Sequence, residues 1–128
     1  MQIKENSLDA LCLFALYICA QDDDLSKDET TRIFSNIPSL AKYYFELFGE
    51  FSSLHLHQVS IALNEFLLSE DRIAIKEAAK SAVTYFDNLI SDQNLRLKAI
   101  EIAKDAAEVD GIHNLEQKQI SFWRQRWS

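Results

Sequence analysis

Two short acidic stretches hold most of the side chains with chemistry to offer. The first, "AQDDDLSKDE" at residues 20–29, sets three consecutive aspartates, Asp22, Asp23 and Asp24, one residue after an apolar run, with Asp28 and Glu29 close behind. The second, "AEVDGIHNLE" at residues 107–116, repeats the plan with Asp110 and Glu116. Carboxylates gathered in a turn suit hard divalent cations, and Ca²⁺ tolerates irregular oxygen geometry better than Mg²⁺ does. Neither stretch is an EF-hand. Counted from Asp22, the sixth loop position is Lys27 where that loop needs glycine, and the twelfth is Ile33 where it needs glutamate.

A cation site would therefore need both turns. Sliding the chain by 87 residues sets Ala20 on Ala107, Asp23 on Asp110, Leu25 on Ile112, Glu29 on Glu116 and Ile33 on Ile120, while Asp24 falls on Gly111. Each copy reads as a helix end, a tight turn and a new helix with glutamate in its first turn. Two such units can pack about a pseudo-twofold axis, with both turns at one end of the domain. The candidate ligands are Asp23, Glu29, Asp110 and Glu116, with Asp22 and Asp24 in weaker roles. A structural reading competes. Ser26 and Glu29 have capping-box spacing, and Glu116 can follow a cap at His113 or Asn114, so both glutamates sit where the helix dipole favours anions. The aspartates fit that reading less well, because a helix C-terminus disfavours an anion by roughly 0.3–1 kcal/mol.

Other chemistry is thin. His55 and His57 are two apart on an expected helix and point to nearly opposite sides, so they cannot chelate together. Cys12 and Cys19 share one expected helix at about 10 Å of rise, too far apart for a disulfide. Both read as small core residues and suit a reducing, cytoplasmic setting. There is no glycine-rich phosphate loop, no nucleophile–base pair at a recognisable spacing and no Cys/His zinc pattern, so a non-enzymatic role is expected.

The elements that must position these groups are helical. The 128 residues include only two glycines and one proline, too few for the turns of a β-rich fold of this length. One all-α domain over residues 1–128, a compact bundle of about seven helices, is expected. Ser7 is placed to cap a helix over 8–20 that is apolar all round and should lie at the domain centre. A second helix starts at the Ser26 box and should be stopped by Pro38. A third is expected over 40–51 with Leu40, Tyr43, Tyr44, Leu47, Phe48 and Phe51 as its stripe, unless Gly49 ends it early. A fourth spans 54–68. A fifth, capped by Ser69, runs through Ile75, Ala79, Ala82, Val83, Phe86 and Ile90. A sixth, capped by Ser91, covers 92–108, and a last helix runs over 115–126 with Trp123 and Trp127 packed inward. The apolar N-terminal run lacks the basic flank of a signal peptide and is too short to span a bilayer.

The repeated pattern of an apolar helix, then Ala-x-x-Asp-(Gly)-x-x-x-x-Glu, resembles the tellurite-resistance TerB-like family. It is carried here by "AQDDDLSKDETTRI" and "AEVDGIHNLEQKQI". The resemblance implies an all-helical bacterial module of two similar halves, whose acidic turns bind divalent metal in some members. It further implies a link to tellurite and other stress resistance within larger assemblies. Asp24 stands where the family usually has glycine. Net charge is −7 without a basic stripe, which disfavours nucleic acid and leaves cations, protein partners, a homodimer or peripheral membrane association. The alternative is a structural interaction domain that docks through the aromatic face of the third helix, its acids serving only capping and solubility.

Overall fold

The computed structural model describes residues 3–20, 26–69, 75–111 and 114–128, and within these all side chains but those of 66–69, 75–81, 110, 114 and 115. The fold is all-helical: α1 (Leu8–Cys19), α2 (Lys27–Ser35), α3 (Ile37–Phe48), α4 (Leu56–Ser69), α5 (Ile75–Leu89), α6 (Gln93–Ala107) and α7 (Asn114–Arg126), with one 3₁₀ turn at Glu108–Asp110. No described helix is long and apolar enough to cross a membrane.

Helix α1 is the axle. Its composition is apolar all round, and every residue from Leu8 to Cys19 is buried. Ser7 caps it by accepting from the Ala10 amide. Helix α6 packs most extensively against α1. Its inner face carries Ala99, Ala103, Ala106 and Ala107, all fully buried, and small side chains at the contact let two helix axes approach closely. Helices α2, α3, α4 and α7 complete the wall around α1. Phe14 anchors the core, edge-on to Phe86 at 5.3 Å and to Trp123 at 5.4 Å, and 5.0 Å from Trp127. Trp123 and Trp127 are core residues, as expected.

Several expected boundaries move, each for a local reason. Helix α2 ends at Ser35, before Pro38 as expected, but α3 starts at Ile37 rather than at 40, and Pro38 lies in its first turn, where its missing N–H costs nothing. Gly49 ends α3 in the left-handed conformation, φ 72°, so Phe51 falls outside the helix and is 82% exposed. Of the expected α3 stripe, only Leu40 and Tyr44 are fully buried. Ser69 belongs to α4, and residues 70–74 before α5 lie outside the described residues. Ser91 does not cap α6; Asp92 does, accepting from the Leu95 amide at 3.0 Å. Asn6 captures Ser91 instead, accepting from its amide and donating to its hydroxyl. Asn6 itself sits at φ 49°, a conformation asparagine tolerates better than most residues.

Candidate functional site

Glu29 is placed by the capping box expected from its sequence. Its amide donates to Ser26 Oγ at 3.0 Å, and its Oε1 accepts from the Ser26 amide at 3.0 Å. The box occupies only one carboxylate oxygen. Glu29 is 2% exposed, and among the described residues its Oε2 is buried without a hydrogen-bond partner. Glu116, in the first turn of α7, is wholly buried. Cys19 closes α1 and is wholly buried as well.

These three side chains meet. A ligand atom from each of Cys19, Glu29 and Glu116 lies within 4.8 Å of the other two. The convergence follows from the topology: α1 delivers the thiol at its C-terminus, while α2 and α7 each deliver a glutamate at the N-terminus. The 87-residue offset noted in the sequence thus becomes a contact. Two ionised carboxylates at this separation repel by about 3 kcal/mol at an effective dielectric constant of ~20. Each is also favoured by its own helix dipole, by roughly 0.3–1 kcal/mol. The dipoles offset part of the repulsion; a shared proton or a bound cation would remove the rest. The donor set fits a divalent ion, with two carboxylates, one thiol and a buried carboxylate oxygen in need of a partner.

Of the residues marked in the sequence, Glu29 and Glu116 are brought together. Asp22, Asp23 and Asp24 lie outside the described residues, as does His113. Asp110 ends the 3₁₀ turn, with its side chain outside the description, and Gly111 follows at φ 82°. The sequence reading missed Cys19 as a neighbour of the glutamates. It took the thiol for a core residue, which its burial matches, but burial says nothing of what surrounds it. The available signal was position: Cys19 immediately precedes the first acidic motif.

Away from this cluster, Asp9 is a buried carboxylate with evident partners. It accepts from the His55 amide at 2.6 Å and pairs with His55 Nδ1 at 2.7 Å, tying the segment before α4 to the start of α1. His55 and His57 are both exposed, and His55 lies before α4 rather than within it. Cys12, one turn beyond Asp9, is a neutral thiol; burial, and then the Asp9 charge, push its pKa up to about 12. Neither cysteine forms a disulfide. The chain matches no family model, no curated protein and no solved structure.

Proposed function

We propose that the chain is a TerB-like, non-enzymatic binding module of the cytoplasm, and that it holds a divalent cation where its two acidic helix–turn–helix units meet. The observation carrying this reading is the buried approach of Glu29 to Glu116 from the two copies of one motif. Their carboxylates supply oxygen donors and negative charge in a place where a cation relieves their repulsion. Asp23 and Asp110 are the further carboxylates that the motif assigns to the ion, with Asp22 and Asp24 adding charge. The bound ion would tie α2 to α7 and so stiffen the surface presented to a protein partner or a second copy, in keeping with a role in stress resistance.

The test is thermal unfolding in chelator and then in Ca²⁺, Mg²⁺ or Zn²⁺. One of these ions should raise the melting temperature of the wild type, and Glu29→Gln, Glu116→Gln or Asp110→Asn should abolish the rise. A melting temperature indifferent to all three ions would reject the cation site.

A second reading has an observation of its own. Phe51 is 82% exposed and stacks on half-exposed Phe45 at 4.6 Å, beside exposed Leu47 and Phe48. A ring pair held open to solvent suits a protein-docking face. Self-association that survives chelator and is lost in Phe51→Ser would favour it.

A further inference from the structure

We propose that Cys19 is a sulfur ligand of the buried site beside Glu29 and Glu116, and that its sulfur makes the site selective for a thiophilic transition metal of the Zn²⁺ class over Ca²⁺ and Mg²⁺. The inference rests on the cation-site reading and names the ion class. Three helices converge on one point, and the donor from α1 is a sulfur, within 4.8 Å of both glutamate donors. All three side chains are at least nine-tenths buried, and Glu29 Oε2 is without a partner among the described residues. Ca²⁺ takes six to eight oxygen donors and Mg²⁺ keeps near-octahedral oxygen geometry with several waters. Neither gains from a thiol.

Zn²⁺ binds four donors tetrahedrally and accepts sulfur at about 2.3 Å and carboxylate oxygen at about 2.0–2.2 Å. Donor atoms in such a tetrahedron are separated by roughly 3.5 Å. Side chains already within 4.8 Å therefore need to close by little more than an ångström, which rotamer adjustment can supply. Thiolate and imidazole donors select Zn²⁺, Co²⁺ and their neighbours, whereas all-oxygen sets select Ca²⁺ and Mg²⁺. The binding step is balanced without redox chemistry: the sulfur–hydrogen bond breaks, the proton leaves to solvent and the thiolate electron pair forms the metal–sulfur bond. Metal binding at this site therefore releases protons and strengthens with rising pH. Cys12 is an internal control, a buried thiol on the same helix beside Asp9 and outside the cluster.

The experiment is titration of the full metal-free chain with Co²⁺, followed by absorbance, and then with Zn²⁺ or Ca²⁺ in competition. A saturable thiolate-to-cobalt charge-transfer band is expected, displaced by Zn²⁺ and unaffected by excess Ca²⁺. The band should vanish in Cys19→Ser, persist in Cys12→Ser, and accompany Zn²⁺ binding at least about tenfold tighter than in Cys19→Ser. X-ray absorption of the Zn²⁺-loaded wild type should show a sulfur scatterer, a readout that does not depend on either variant folding. Absence of that sulfur and of the band, with Ca²⁺ or Mg²⁺ still raising the melting temperature through Glu29 and Glu116, would overturn Cys19 ligation and leave the cation reading standing. A band that follows Cys12 would also overturn it. No response to any of these ions would overturn both.

Discussion

Helix α7 carries buried polar groups toward both of its ends, and the two ends satisfy them in opposite ways. Just past its C-terminus, Trp127 Nε1 donates to Asp87 Oδ1 at 2.9 Å, while Arg126 pairs with both oxygens of the same carboxylate. Arg96 stacks over the Trp127 ring at 5.2 Å and donates to the Ile90 and Asp87 carbonyls. Gln93 donates to the Trp127 carbonyl, so the chain end is held from several sides. At the other end, Glu116 meets Glu29 and Cys19 in a cluster of three acidic or acidifiable groups. One end is complete as a structure. The other gathers two buried carboxyl groups and a thiol, an arrangement that a structural role alone does not require.

This contrast can be broken most directly at its structural end. Trp123→Ala should cost about 3–5 kcal/mol of stability in chemical denaturation, because it opens a cavity against Phe14 and Phe86. A much smaller loss would mean that the aromatic cluster is not what holds α7. Asp87→Asn comes next, at about 1–3 kcal/mol near neutral pH, since it weakens the pairing of the carboxylate with a buried indole N–H and with Arg126.

The same residue makes a signed pH prediction. Burial alone would raise the Asp87 pKa, but hydrogen bonds from Arg126 and Trp127, with the charges of Arg126 and Arg96, hold it below the ordinary carboxylate value. A carboxylate with a lowered folded pKa stabilises the fold above its unfolded pKa and loses that stability as pH falls through the folded value. Wild-type stability should therefore drop on acidification from about pH 4 downward, and Asp87→Asn should flatten that part of the profile.

Glu29→Gln sharpens the comparison from the other side. Glutamine keeps the capping box, and the change removes one of two neighbouring buried charges, so stability in chelator should stay within about 1 kcal/mol of wild type or rise. Glu29→Ala, which breaks the box, should lose roughly 1 kcal/mol. A large loss in Glu29→Gln would place the acidic end in the same structural class as the Asp87 end. The smallest effect belongs to a surface strap. Arg32 reaches Asp105 with a bidentate contact at 2.8 and 3.2 Å, yet both side chains are well exposed. Arg32→Ala should lower the melting temperature least of these variants, and less still in high salt.

Much of the fold was legible along the chain because helices are announced locally. Apolar residues on all sides of 8–19 can only belong to a central helix, and α1 is one. Ser7 and the Ser26–Glu29 box cap as their spacing requires, since those bonds span only three residues. The boundaries that moved lie where a distant group intervened or where one residue type serves two roles. Asn6 reaches across more than eighty residues to take Ser91, leaving Asp92 to cap α6. Pro38 breaks a helix interior but opens a helix equally well, and its own sequence neighbourhood does not say which.

The acidic site divides in the same way. The sequence by itself determined an all-helical chain and two copies of one motif, each with glutamate in the first turn of a helix, because propensity, periodicity and capping act over a few residues. Only the tertiary structure decided that Glu29 and Glu116 share a buried space, that the box leaves one Glu29 oxygen over, and that Cys19 is the group beside them. Those facts depend on how α1, α2 and α7 cross, and helix crossing is set by the summed packing of whole faces against α1 and α6 rather than by any residue at the site.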